Sequence, residues 1–393
     1  MTNQPTTLAA HRSTTLCALF VVALNLRPAL AALGPVLESL RADLALSHSQ
    51  AGLLTTVPIV CMGLFAPLAL RMQARLGLKK AIFIATVIIG FASALRLYRS
   101  FTMLLLSSLF IGAATAVLGP LVNAFIKQHF VAQGARITAL VTTALCLGAA
   151  LAAGSTAILS ALLSWPAALS IWGLLAFLGA AVWQGAAVRS DKVVTAEHTS
   201  LPWRSARSWQ LLLTFGLNSF VFYGLLAWLA PAYQDYGLSS KTAGHLLAVF
   251  ALLQIVGTLV VSRLSARPVD RRPAMLVCGA ATLLGVLLTW QVPLLAPYVW
   301  MCLLGVGTAG LFALNLILPL DYSQSAAEAG AWTAMMCSGG YVIAAAGPLL
   351  AGWVRDRSGD YHQTFLLLAT VSCLTLLSIL NLAPAKLPTT ASS

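Results

Sequence analysis

Charged side chains are scarce in this sequence. They make up 8% of its 393 residues, and only 10 of these are Asp or Glu. Soluble domains carry about 25% charged residues, so the composition excludes a protein with an ordinary water-facing surface. Hydrophobic residues make up 59%, and runs of about 20 apolar residues, the length that crosses a bilayer as a helix, follow one another along the chain. The sequence therefore predicts an all-α protein that crosses a membrane many times.

Signals of several other protein classes are also missing. The seven cysteines lie inside apolar runs with no paired spacing, which argues against a disulfide framework or a zinc site. Titratable residues form no convergent set, so we expect no enzyme, no cofactor and no metal site. The formal net charge of +13 comes from cations in short loops. Such cations typically set membrane topology, and we expect no binding to nucleic acid.

The apolar runs number twelve and fall into two groups of six. They lie at roughly 14–37, 49–70, 79–98, 101–126, 135–162, 165–188, 208–234, 241–262, 273–291, 294–319, 328–353 and 362–383. The longest polar connection follows the sixth run. We predict a cytoplasmic tail at 1–13, an N-terminal six-helix bundle at 14–188, a cytoplasmic linker at 189–207, a C-terminal six-helix bundle at 208–385 and a cytoplasmic tail at 386–393. The first run is interpreted as a retained helix rather than a cleaved signal peptide.

The distribution of Lys and Arg predicts the orientation in the membrane. With both termini in the cytoplasm, the inner segments carry 16 of these cations and the outer segments carry 6. This bias agrees with the positive-inside rule. We therefore expect a multi-pass protein of the bacterial inner membrane, with membrane lipid as its surroundings, and we expect it to be monomeric.

The two halves of the chain repeat each other. The pairs Leu46-Ser47 and Ala51-Gly52 recur 192 residues later as Leu238-Ser239 and Ala243-Gly244. At the same offset, the loop cations Arg71, Arg75, Lys79 and Lys80 match Arg263, Arg267, Arg271 and Arg272. One residue out of step, Gly112-x-Ala-Thr-Ala116 recurs as Gly305-x-Gly-Thr-Ala309. Two six-helix halves related by a parallel repeat are the plan of a two-bundle transporter, whose solute site lies near the midplane between the halves.

Several stretches carry a resemblance to a known family. The loop Ala74-Arg-Leu-Gly-Leu-Lys-Lys80 resembles the D-R-x-G-R-K-R loop of the major facilitator superfamily, with Ala74 in the place of the usual acid. The stretches LNLRPALAALGPVL, AGLLTTVPIVCMGLFAPLA, PLVNAFIKQHF, AWLAPAY and GPLLAGWVRDRSGDY resemble the branch of cyanate permeases and 2-nitroimidazole transporters. The resemblance implies the major facilitator fold and transport of a small solute.

Arg27 is the one cation in the middle of an apolar run rather than at its end. It lies about thirteen residues into the first run, which is roughly 20 Å along a helix. A charge at that depth costs from about 3 to well over 10 kcal/mol if it faces lipid, so such residues face a cavity or a partner. All ten acids lie in loops or at run ends. Arg27 is therefore either a strut bonded to main-chain carbonyls or a ligand for a small anion, and we favour the ligand.

Other candidates are weaker, because each polar residue in a span can equally be a packing contact. The substrate-binding candidates besides Arg27 are Asn25, Asn218, Tyr223, Trp228, Asn123, Asn315 and Tyr341. Asn25 lies off the face of Arg27 on an ideal helix, so an interhelical hydrogen bond is at least as good an interpretation. Pro28, Pro120 and Pro348 are candidate helix breaks or hinges. The eight repeated loop cations either mark topology or hold lipid headgroups and close the cytoplasmic side.

Two functions are compatible with these residues. The first is a secondary active or facilitative transporter that moves a small, cyanate-like anion by alternating access around Arg27. The alternative is an efflux transporter for nitroimidazole or other small drug-like compounds, since a nitro group resembles a carboxylate. The fifth run, LVTTALCLGAALAAGSTAIL, lacks the glycine-rich, Gly-Pro-ended pattern of drug–proton antiporters. Because the membrane core has no carboxylate for a proton relay, we expect uniport or exchange.

Overall fold

The structure is a computed structural model that describes residues 4–130, 133–186, 201–264, 270–323 and 325–382. Most of the predicted linker at 189–207 and the predicted tail at 386–393 lie outside these ranges. The helices are α1 Gln4–Leu24, α2 Pro28–Ala31, α3 Leu33–Asp43, α4 His48–Phe65, α5 Leu68–Ala94, α6 Phe101–His129, α7 Gly134–Leu162, α8 Trp165–Ser170, α9 Trp172–Gly185, α10 Ala206–Asp235, α11 Ser240–Leu264, α12 Arg272–Gln291, α13 Pro297–Tyr322, α14 Ala326–Ser358 and α15 His362–Leu380. A 3-10 turn at Leu95–Leu97 follows α5.

The predicted all-α architecture is confirmed. The described residues contain helices and no strand, and twelve helical segments are long and apolar enough to cross a membrane. The first segment combines α1, α2 and α3, and the sixth combines α8 and α9. An even number of crossings puts the first and last helix ends at the same end of the molecule. We call the opposite end, which carries the 44–47 and 359–361 connections, the distal end.

Helix α5 is interrupted at Gly77, between the second and third predicted spans. The Gly77 backbone has φ 75° and ψ 162° within α5, a conformation that side chains with a Cβ strongly disfavour. Gly77 belongs to the loop that resembles the family motif. Around it Arg71, Arg75 and Lys80 are exposed, whereas Lys79 donates to the Ala186 carbonyl at 2.8 Å. Glycine therefore suits this position, because the loop needs a backbone conformation that other residues rarely adopt.

The repeated Leu-Ser pairs begin equivalent helices. The Ser47 hydroxyl accepts from the Gln50 backbone N–H at 3.1 Å in a capping box at the start of α4. The Ser239 hydroxyl accepts from the Thr242 backbone N–H at 3.1 Å at the start of α11. A serine cap satisfies a backbone donor that the first turn of a helix leaves open. The repeat thus conserves the local signal that starts the second helix of each half.

The repeated glycines make equivalent close contacts between helices. A Cβ built on Gly112 in α6 would lie 2.4 Å from the Pro58 Cα in α4, and one on Gly305 in α13 would lie 2.7 Å from the Phe250 oxygen in α11. In both halves a glycine therefore lets the fourth crossing approach the second. Lipid supplies no hydrophobic drive between helices, so this close backbone approach is a main source of packing energy.

A second pair of repeated glycines joins the two halves to each other. A Cβ on Gly52 in α4 would lie 2.7 Å from the Pro348 oxygen in α14, and one on Gly244 in α11 would lie 2.7 Å from the Ala153 oxygen in α7. The halves accordingly meet along α4 with α14 and along α7 with α11. A buried apolar cluster containing Leu33 and Leu226 spans the junction. The two halves pack as pseudo-symmetric bundles with a shared interface.

Gly112→Ala is expected to destabilise the protein, because its methyl group has to displace the backbone of α4. Overpacking of this kind costs about 1–3 kcal/mol. Thermal unfolding in detergent, followed by tryptophan fluorescence, measures the effect as a lower midpoint. Gly119→Ala in the same helix is the matched control, since a Cβ there meets nothing within 4 Å. Equal midpoints for the two variants would contradict the packing role of Gly112.

Candidate functional site at the bundle interface

The first membrane crossing is interrupted beside Arg27. Helix α1 ends at Leu24, Asn25–Arg27 form a turn, and α2 begins at Pro28. Pro28 has no N–H to continue the helical hydrogen bonds. A Cβ on Gly148 of α7 would lie 2.2 Å from the Leu24 oxygen, so α7 packs directly against the freed end of α1. Because the helix is interrupted here, the Arg27 side chain does not point in the direction that the periodicity of an unbroken helix would give it.

Arg27 reaches across to the C-terminal bundle. Its Nη1 donates to the Gln254 Oε1 in α11 at 2.8 Å, and its guanidinium carbon lies 5.2 Å from the centre of the Phe222 ring in α10. Gln254 is 4% exposed, and Arg27 is half-buried. None of the ion pairs in the described part of the chain involves Arg27. The interface therefore holds a cation whose bound partner is neutral.

Aromatic side chains form a wall next to this cation. The Phe222 ring lies 4.9 Å from the Tyr223 ring and 5.9 Å from the Phe250 ring. The rings of Tyr223 and Tyr341 are 6.3 Å apart, so the row of rings continues from Phe222 through Tyr223 to Tyr341. The Tyr223 hydroxyl also lies 3.7 Å from the Met62 Sδ in the N-terminal bundle. Of the predicted site residues, Tyr223 and Tyr341 thus belong to the aromatic wall whose Phe222 ring contacts Arg27.

The other predicted side chains lie elsewhere. Asn25 donates to the Val21 and Leu175 carbonyls at 2.8 and 3.2 Å, so it makes the interhelical contact that was the alternative interpretation. Asn218 lines a small void within the C-terminal bundle, and Asn315 donates to the Leu311 carbonyl of its own helix at 3.0 Å. Trp228 donates to the Pro348 carbonyl at 2.8 Å, and Asn123 is exposed.

The predicted helix breaks and the predicted loop cations also differ from one another in their local structure. Pro120 lies inside α6 and Pro348 inside α14, and both helices continue past them, whereas Pro28 follows a true interruption. Among the repeated cations, Arg271 pairs with Asp321 at 2.9 Å and Arg272 with Asp270 at 2.7 Å. Arg267 and the Arg263 side chain lie outside the described residues.

A second guanidinium, that of Arg96, is buried in the N-terminal bundle, although the topology prediction counted it among the six cations of the outer segments. Arg96 is 1% exposed; its Nη1 donates to the Ala29 carbonyl at 2.8 Å and its Nε to the Ser107 hydroxyl at 3.0 Å. Arg96 thus fills the strut role that was the alternative for Arg27, and it anchors α2. Its position at the end of an apolar run gave no signal of this burial.

Polar bonds tie the two bundles together at the distal end. The Asp356 Oδ1 accepts from the His48 backbone N–H at 2.7 Å and lies 2.7 Å from the His48 Nδ1, and its Oδ2 accepts from the Ser49 backbone N–H at 2.8 Å. A carboxylate of the C-terminal bundle therefore caps the first turn of α4 in the N-terminal bundle. The Tyr361 hydroxyl donates to the Glu38 Oε1 at 3.1 Å, which adds a second bond across the interface.

Comparisons with known proteins agree with this architecture. The family model described as the Major Facilitator Superfamily matches residues 15–345 and 211–392. The chain is 30% identical over 380 residues to the cyanate transport protein CynX of Escherichia coli (strain K12), which covers 95% of this chain and 98% of that protein. It is 29% identical over 371 residues to the 2-nitroimidazole transporter of the same organism, covering 93% of this chain and 94% of that one.

Solved structures share the fold at low sequence identity. The D-xylose–proton symporter has a TM-score of 0.80 at 12% identity, covering 95% of this chain and 98% of that one. A bacterial homolog of the human lysosomal transporter Spinster has a TM-score of 0.76 at 15% identity, covering 94% and 96%. The chain therefore belongs to the Major Facilitator Superfamily, and it is a multi-pass bacterial membrane transporter.

Proposed function

We propose that this protein carries a small, cyanate-like anion across the inner membrane by alternating access, with Arg27 as the central anion ligand. One observation carries the proposal. A guanidinium at the interface of the two bundles has a neutral hydrogen-bond partner, Gln254 Oε1 at 2.8 Å, and no carboxylate partner among the described residues. An anion that neutralises this charge would stabilise the closed interface.

The chemistry of the guanidinium supports an anionic passenger. A guanidinium presents several N–H donors in one plane, and Gln254 takes the hydrogen bond from Nη1. An anion adds the Coulombic attraction of an opposite charge to its hydrogen bonds with the guanidinium, and a neutral amide oxygen lacks this attraction, so an anion competes effectively with Gln254. The Phe222 and Tyr223 rings beside the cation limit the water that reaches it, which strengthens the electrostatic attraction.

A nitroimidazole is the second candidate passenger, and the aromatic wall favours it. Phe222, Tyr223 and Tyr341 offer ring faces and edges on which a flat heteroaromatic solute packs. Arg27 would then hydrogen-bond the nitro oxygens. The relative of 29% identity named for 2-nitroimidazole makes this compound a concrete probe.

The hydrogen bonds between the bundles at the distal end are suited to a gate that opens and closes in the same transport cycle. With the termini in the cytoplasm, as the Lys and Arg bias predicts, the distal end faces the periplasm. Asp356 and Tyr361 of the C-terminal bundle would then release His48, Ser49 and Glu38 of the N-terminal bundle each time the outer side opens. Rocking of one bundle against the other about a central site is the motion expected of this architecture.

Removal of the Arg27 charge is expected to weaken anion binding strongly. Cyanate should raise the unfolding midpoint of the purified wild-type protein, because a ligand stabilises the folded state that binds it, and Arg27→Ala should lose this shift. The lost charge-assisted hydrogen bond is worth about 1.5–3 kcal/mol, or roughly 10- to 100-fold in affinity. A titration with cyanate, repeated with 2-nitroimidazole, separates the two passengers.

The control for this titration is Arg99→Ala, which removes an exposed cation near the distal end that is 3.6 Å from Asp43. This variant should respond to cyanate as the wild type does. An equal midpoint shift in the wild type and in Arg27→Ala would show that Arg27 is not the ligand.

Asp356→Asn is expected to shift the conformational equilibrium towards an open distal end. The neutral amide weakens the bonds to the first turn of α4 and to His48, at a cost of about 1.5–3 kcal/mol, or roughly tenfold or more in population. Spin labels on cysteines introduced at the exposed positions Arg99 and Leu295, in a background without native cysteines, report the distance between the bundles. The distribution should gain a longer component.

Asp360→Asn is the matched control. It removes the same charge at the same end, but the Asp360 carboxylate accepts from the His362 backbone N–H within its own connection at 3.0 Å. This variant should keep the wild-type distances. An equal increase in the distance between the labels in both variants would show that surface charge causes the effect, and it would contradict the gate role of Asp356.

A further inference from the structure

We infer that the Arg27–Gln254 hydrogen bond allows the transporter to reorient without a passenger, so that the protein performs net uniport and not obligatory exchange. This inference rests on the proposed role of Arg27 as the anion ligand. It concerns what happens on the return half of the cycle, when no anion accompanies the cation through the closed interface.

The two transport modes differ in the cost of closing the interface around an empty site. An isolated buried charge is strongly unfavourable, so a carrier whose central cation has only the passenger as a partner returns only when loaded. Such a carrier exchanges one anion for another. A carrier whose own side chains take over the hydrogen bond can close empty, and it then moves anions down their gradient.

Here the protein supplies the substitute partner itself. Gln254 extends from α11 of the C-terminal bundle to the Arg27 Nη1 at 2.8 Å, and it is 4% exposed. The Phe222 ring, 5.2 Å from the guanidinium carbon, adds a cation–π contact from α10. Both contacts join Arg27 of the N-terminal bundle to the opposite bundle. They therefore form when the bundles meet at this level, and they stabilise the closed interface in place of an anion.

The identity of the substitute explains why it does not block transport. An amide oxygen pairs with the guanidinium more weakly than a carboxylate does, so an arriving anion displaces it. An amide also does not titrate, so this exchange of partners on Arg27 requires no proton. A glutamate at position 254 would instead remain paired with Arg27 and would compete with every anionic passenger.

The test compares net flux with exchange in proteoliposomes loaded with the purified full-length protein. Uptake of radiolabelled cyanate into vesicles without internal cyanate measures net flux, with valinomycin and potassium present because uniport of an anion moves charge. Uptake into vesicles preloaded with unlabelled cyanate measures exchange. For the wild type we expect the two rates to agree within a few-fold, and we expect net uptake alone to respond to an imposed membrane potential.

Gln254→Leu removes the substitute partner and keeps Arg27 available to cyanate. We expect its net uptake to fall roughly tenfold or more relative to exchange, because the empty interface then closes on an unpaired buried charge. Gln254→Glu should lose both activities and the cyanate-dependent midpoint shift. Gln234→Leu is the matched control: its Nε2 donates across the interface to the Pro35 carbonyl at 3.3 Å without contacting Arg27, and its ratio of net flux to exchange should stay at the wild-type value.

Three results would overturn the inference. The first is a wild type that exchanges cyanate but shows no net uptake, which leaves the anion-transport proposal intact. The second is an equal loss of net flux and exchange in a Gln254→Leu protein that still shows the cyanate midpoint shift and so is folded and binding. The third is a folded wild type that neither binds nor moves cyanate, which removes the proposed function and this inference together.

Discussion

The structure depends on holding the positive charge of Arg27 at the junction of two apolar bundles with no carboxylate partner among the described residues. Arg27 meets the cost of burial through a neutral amide oxygen and an aromatic face from the opposite bundle. Each contact is weaker than an ion pair. The charge is therefore stabilised at the interface, and in the proposed role it remains available to an anion. A carboxylate at the same position would have fixed the charge permanently.

This arrangement requires a precise backbone around Arg27. The interruption of the first crossing exposes main-chain groups that a membrane cannot solvate. Arg96 supplies a donor to the Ala29 carbonyl, and Gly148 lets α7 approach the end of α1. The two intramembrane guanidinium groups thus have different tasks: Arg96 supports the broken helix, and Arg27 is presented by it. Close contacts at Gly52 and Gly244 then set the spacing of the two bundles across which Arg27 reaches.

Local and periodic features were predictable from the sequence, whereas long-range partners were not. Apolar run length predicted the twelve crossings, and the Leu-Ser and glycine repeats mark caps and close packing in both halves. The direction of a side chain within a bundle depends on helix rotation, which no single sequence reveals. For this reason the sequence did not show that Asn218 lies inside the C-terminal bundle. Only the fold identifies Gln254 as the hydrogen-bond partner of Arg27. The prediction that Asn25 lies off the face of Arg27 also assumed an unbroken helix, which the turn at Asn25–Arg27 removes.

The two kinds of contact between the bundles follow from their access to water. At the distal end Asp356 and Glu38 are partly exposed, so in the proposed gate their charges would be rehydrated when the ionic bonds break. Near Arg27 the surroundings are apolar and aromatic, and a released carboxylate would have poor solvation. A neutral amide such as that of Gln254 carries no charge, so it leaves no buried charge of its own when its hydrogen bond to Arg27 breaks. The distribution of acids along the chain, confined to the ends of the spans and the loops, thus fits the proposed role of Arg27 as an exchangeable cation at the centre.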